Sequence, residues 1–98
     1  MVEHLVLFRW KEGADSAAIN AALEALRRLK NEVPGIVELT CGENFSERAK
    51  GYHAGLYVRF TDRAALEAYQ PHPAHQHVVQ NLLTPIREDT LAVDFESE

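Results

Sequence analysis

The run Tyr69-Gln70-Pro71-His72-Pro73-Ala74-His75-Gln76-His77-Val78-Val79 holds three histidines and two prolines between two helical patterns. Histidine is the side chain whose ordinary pKa lies near neutrality, so it exchanges protons with little tuning. Each proline fixes its own backbone and pushes the residue before it, Gln70 or His72, toward extended geometry. The segment therefore reads as a rigid hinge carrying imidazoles, with Tyr69 closing the helix before it. His75 shares a helical face with Val78, Val79 and Leu82, which predicts an inward position. There it either hydrogen-bonds a carbonyl as a packed residue or works as an acid–base group with Tyr69 on one bound substrate. His72 reads as a cap or a site residue, and His77 faces solvent.

The elements around this hinge follow from periodicity. Val2 to Trp10 is a strand with Val2, His4, Val6, Phe8 and Trp10 on one face and Glu3, Leu5, Leu7 and Arg9 on the other. Asp15 or Ser16 caps a helix whose apolar stripe is Ile19, Ala22, Leu23, Leu26, Leu29 and Val33, and Pro34-Gly35 ends it. Ile36 to Asn44 and Tyr52 to Phe60 are strands, the latter with Leu56 and Val58 among its inward residues. Thr61 or Asp62 caps a short helix ending at Tyr69, and Leu91 to Phe95 is the last strand. The order β-α-β-β-α-β, with a broken second helix, predicts an α+β, ferredoxin-like fold: one antiparallel sheet with its helices on one face. One domain over residues 1–98 follows from the length. Leu5, Leu7 and Tyr57 are left on the sheet's uncovered face, and a back-to-back homodimer closing an α/β barrel covers them.

Composition narrows the function. The chain has 46% apolar and 26% charged residues and a net charge of −5, with no basic run, so nucleic acid and anionic membranes are poor partners. Its single cysteine, Cys41, calls for no oxidising compartment. Residues 1–5 lack the basic start and apolar core of a secretory signal, and no apolar run has the ~20 residues of a membrane span. A soluble cytoplasmic protein is expected. His72, His75 and His77 have spacing compatible with chelation, but no further ligand stands near them in sequence, so neither metal nor cofactor is expected.

Together, His4-Leu5-Val6-Leu7-Phe8, Pro34-Gly35-Ile36, Gly51-Tyr52, and Leu66-Glu67-Ala68-Tyr69 followed by His72-Pro73-Ala74-His75 resemble the stress-responsive A/B barrel domain family, of the dimeric α+β barrel superfamily. The resemblance runs nearly end to end. It implies a homodimer with a cleft between sheet and helices in each subunit. In one plant polyketide-cyclase branch, cofactor-free chemistry uses a tyrosine and a histidine. These fall on Tyr69 and His75, and a further pocket histidine falls on His4. Where many members have Thr-His after Gly-Tyr, this chain has His53-Ala54, which turns that imidazole to the opposite face.

The resulting expectation is a small apolar or aromatic carbonyl compound bound by His4, Val6, Leu56, Val58 and His72, with Tyr69 and His75 as catalytic pair. The alternative is a non-catalytic, stress-associated structural oligomer.

Overall fold

The computed structural model describes residues 1–97. Four strands, β1 (Val2–Trp10), β2 (Ile36–Glu43), β3 (Ala54–Phe60) and β4 (Arg87–Glu96), form one antiparallel sheet in the order β2-β3-β1-β4. The long helix α1 (Ser16–Glu32) and the short helices α2 (Arg63–Tyr69) and α3 (Pro73–Val78) connect them. This is the ferredoxin-like arrangement that the element order predicts. Among the described residues, no helix is long and apolar enough to cross a membrane.

The core lies between the sheet and the helices. From β1 it takes Val2, Val6, Phe8 and Trp10, and from β3 Ala54, Leu56, Val58 and Phe60. The alternation predicted along both strands thus puts every second residue inside. Helix α1 answers with Ala22, Leu23, Leu26 and Leu29, all buried on one stripe. Each large apolar side chain so buried contributes roughly 1.5–3 kcal/mol. The Asp15 carboxylate accepts from the Ala17 N–H at 3.1 Å and starts α1; Asp62 does the same for α2 through Ala65 N–H at 2.8 Å.

The hinge departs from expectation at one residue. Gln70 is helical, at φ −55° and ψ −51°, although Pro71 follows it. Its N–H donates to the Leu66 carbonyl at 3.3 Å, so the last helical bond outweighs the steric preference before proline. His72 is extended, at φ −59° and ψ 134°, and its Nδ1 accepts the Ala74 N–H at 3.1 Å, capping α3. Beyond Val78 the helix widens into a π-helical turn, Val79–Leu83. There the Val79 carbonyl accepts both the Thr84 N–H at 2.9 Å and the Thr84 hydroxyl at 2.8 Å. Strand β4 begins earlier than the apolar pattern predicts, at Arg87, because its first residues are polar yet pair with β1.

Gly35 is the tightest of the glycine positions. Its φ is +88°, and a Cβ there would stand 2.6 Å from the Ala65 Cβ on α2. Gly13 has φ +78° but open space around it. Gly35→Ala is therefore expected to lose more stability in urea denaturation than Gly13→Ala, which carries only backbone strain of roughly 1–3 kcal/mol. Equal losses would show that α2 moves away freely from the start of β2.

Candidate functional site

A cavity of about 260 Å³ opens between the inner face of the sheet and the hinge helices. Its apolar walls come from Val6, Phe8, Leu26, Leu56, Val79 and Leu83, and its polar groups are His4, Tyr69, Gln70, His75, Gln76, Arg87 and Thr90. The volume corresponds to roughly nine water molecules, or one ring with a short substituent.

Five of the seven residues expected from sequence meet here: His4, Val6, Leu56, Tyr69 and His75. Val58 does not reach the cavity, because it is wholly buried in the core. His72 also lies outside the lining; its ring is held back by capping α3. His53, just before β3, is absent from the cavity lining, and its Nδ1 accepts the Trp10 N–H at 3.0 Å. His77 is exposed and pairs with the Asn81 amide at 2.8 Å. The histidines of the hinge thus have separate partners, and among the described residues no group of three or more His, Cys, Asp or Glu is placed to hold a metal. Cys41 is half-buried, with its thiol donating to the Leu23 carbonyl at 3.4 Å and its pKa pushed up by burial.

Tyr69 occupies the centre. Its ring lies 4.1 Å from that of His75, 5.1 Å from Phe60 and 6.1 Å from His4, centroid to centroid. The residue is 1% exposed, and among the described residues its buried hydroxyl has no hydrogen-bond partner. Leaving such a group unpaired costs about 1–3 kcal/mol. Burial also pushes its pKa well above the ordinary tyrosine value, so the phenol keeps its proton.

His75 is tethered by its Nδ1, which lies 3.0 Å from the Gln70 carbonyl. A carbonyl only accepts, so Nδ1 carries the proton and Nε2 of the neutral ring keeps a lone pair. The Gln76 amide donates to the same carbonyl at 2.9 Å, fixing the start of the turn. Desolvation lowers the His75 pKa below its ordinary 6.5; the Gln70 bond opposes this, while His4, Arg87 and His72 add to it. The imidazole is thus a neutral base at pH 7.

His4, 5% exposed on β1, is oriented from behind by a group the sequence reading missed. Its Nδ1 hydrogen-bonds the half-exposed Asp94 carboxylate of β4. Asp94 pairs with His4 in the sheet register, and its own alternation with Ala92 and Thr90 was the available signal. Arg87 and Thr90 lie before the apolar run of residues 91–95, in the polar opening of β4. On the opposite face Glu3 is 6% exposed despite its charge. It accepts from the Tyr57 hydroxyl at 2.6 Å and from the Ser97 hydroxyl, and pairs with Arg59 at 3.3 Å. The Ser97 and Tyr57 bonds, helped by Arg59, hold its carboxyl below the usual range against the opposing effect of burial.

The lowered His75 pKa gives a signed expectation. Above pH 6.5 the ring is neutral both folded and unfolded and contributes nothing to pH dependence. As pH falls below 6.5 the unfolded chain takes up a proton that the folded one resists, so stability drops until the folded pKa is passed. Comparing denaturation midpoints of wild type and His75→Gln between pH 7 and pH 5 checks this. The variant is expected to lose less stability on acidification, and parallel curves would contradict it.

Similar proteins share the family and the fold. A model of the stress responsive A/B barrel domain matches residues 2–97. A Streptomyces coelicolor protein is 35% identical over 78 residues, covering 78% of this chain and 80% of its own length. A stress-response A/B barrel domain-containing protein of Arabidopsis thaliana is 30% identical over 95 residues, or 97% of this chain. The chain spans only 36% of that plant protein's length. Among solved structures, a dimeric ferredoxin-like protein from Jannaschia is 34% identical, with a TM-score of 0.82 and 98% of each chain covered. A hydroxynitrile lyase from Passiflora edulis shares the fold at a TM-score of 0.85 and 19% identity, over 96% of this chain and 90% of the lyase. With its hinge, its sheet order and the match over residues 2–97, this chain belongs to the stress-responsive A/B barrel domain family.

Proposed function

We propose that the chain binds a small apolar or aromatic carbonyl compound in the sheet–helix cavity and moves a proton on it without a cofactor. The unpartnered Tyr69 hydroxyl carries this reading, because a ligand oxygen would supply the missing acceptor. Tyr69 donates to the carbonyl oxygen. His75, through the Nε2 lone pair, takes a proton from the adjacent carbon; the C–H electron pair moves toward the oxygen, where the Tyr69 O–H stabilises the enolate. His4, held by Asp94, positions the far side of the ligand. The shared fold of the Passiflora edulis enzyme supports a catalytic reading without naming a substrate.

The assembly we infer is a homodimer, as in the Jannaschia structure described as dimeric. Leu5, Leu91, Val93 and Phe95 are 37–50% exposed on the sheet face away from the helices. A contiguous apolar surface of this kind is normally covered. Val93 stands opposite Leu5 in the register, so Val93→Glu places a charge in the middle of that face. Size-exclusion chromatography with light scattering is expected to show a dimer for the wild type and a monomer for Val93→Glu. A monomeric wild type would remove the barrel.

The site itself is tested by Tyr69→Phe and His75→Ala in thermal-shift titrations with aromatic ketones. Removing an unpaired buried hydroxyl leaves the melting temperature of Tyr69→Phe unchanged or higher, while ligand-induced stabilisation disappears. His75→Ala keeps the fold and loses any proton exchange at the carbon beside the carbonyl. A clear loss of melting temperature in Tyr69→Phe, with no ligand response in the wild type, would favour the non-catalytic structural oligomer.

A further inference from the structure

Among the described residues, Arg87 is the one Arg, Lys, Asp or Glu side chain that lines the cavity. It is half-buried, and among the described residues it has neither an ion pair nor a side-chain hydrogen bond. The two acids that follow it are engaged elsewhere: Arg9 holds Glu88 at 3.7 Å and Asp89 at 3.1 Å, and the Tyr52 hydroxyl donates to Asp89 at 3.3 Å.

Its position is set by a break in the register. Phe8 pairs with Thr90 and Arg9 with Asp89, but Trp10 pairs with Arg87, leaving Glu88 as the extra residue. In unbroken alternation Glu88 would follow Thr90 and Ala92 onto the inner face, and Arg87 would point outward. The bulge reverses this and turns Arg87 into the cavity, the kind of re-aiming for which bulges are used. In a chain of net charge −5, it sets a cation where no acidic side chain lines the wall.

From this we infer that the carbonyl compound is an anion: an apolar or aromatic body on Phe8, Leu26 and Leu83, its carbonyl oxygen at Tyr69, and a carboxylate at Arg87. This rests on the carbonyl-binding reading and narrows its substrate class. Guanidinium and carboxylate match in shape and form two parallel charge-assisted bonds, stronger in a partly desolvated cavity than in water. A neutral ligand would leave the Arg87 charge without a counter-charge in the cavity.

Benzoylformate and benzoylformamide test it, since they are nearly identical in shape and differ in charge. Calorimetric titration of the wild type is expected to show the acid bound about tenfold or more tightly than the amide. High salt should weaken the acid and not the amide. Arg87→Gln should remove the preference for the acid over the amide, and Arg87→Lys should restore part of it. Circular dichroism confirms that the variants fold; should they not, the wild-type acid–amide ratio and its salt dependence decide alone. Equal binding of acid and amide overturns the anion assignment and leaves the carbonyl site standing. Binding of neither overturns both.

Discussion

A phenol hydroxyl held inside the layer between sheet and helices, with no partner among the described residues, is the constraint on which the site depends. Tyr69 is among the largest fully buried side chains of the protein, packed against Phe60 and His75. A core of this size could place a phenylalanine there and avoid the desolvation of the hydroxyl. The surrounding groups do not relieve it. His75 spends its Nδ1 proton on Gln70, and His4 bonds Asp94. The neighbours are thereby fixed in orientation, each by a partner behind it. In the function we propose, a site held this way is preorganised, and its unsatisfied group is the one that would meet the ligand.

The rest of the fold serves that arrangement through its two connections. Strand β1 contributes inward residues to core and cavity and outward residues to the uncovered face, so one element fixes the position of both. The hinge lets Tyr69 and His75 come from different helices onto one spot. Pro73 begins α3 afresh, and the His72 ring, by capping it, sets the direction in which His75 emerges. Val79 and Leu83, at the two ends of the π-helical turn, both line the cavity. On the far edge the β4 bulge brings in Arg87.

Much of this is legible in sequence because it is written in periodicity. The β1 and β3 alternation, the α1 stripe and the Asp15 and Asp62 caps are local signals, and local chemistry decides them. Tyr69 and His75 stand out because prolines mark the hinge between them. What is not legible depends on register. Strand β4 opens with charged residues whose pairing to β1 is invisible until the sheet exists, which hides Arg87 and Thr90, and the partnership of Asp94 with His4 depends on the same register. Val58 shares its strand face with Leu56, but depth beneath the helices is a tertiary property. His72 has the residue type of a site and the position of a cap, and only geometry decides between them. Glu3 sits on an outward face yet is buried by Tyr57, Arg59 and Ser97, which lie far from it along the chain.

The most direct test of the account is nuclear magnetic resonance of protein labelled in the tyrosine ring and the imidazole nitrogens, titrated with an aromatic ketone at pH 7. At the outset the His75 signals are predicted to be those of a neutral ring protonated on Nδ1. On addition of ketone, Tyr69 and the His75 Nε2 shift together and saturate together, while His53 and His77 stay in place. A His75 ring already charged at pH 7, or Tyr69 signals that never move while surface histidines do, would contradict the claim that the buried hydroxyl is the receptor of the ligand.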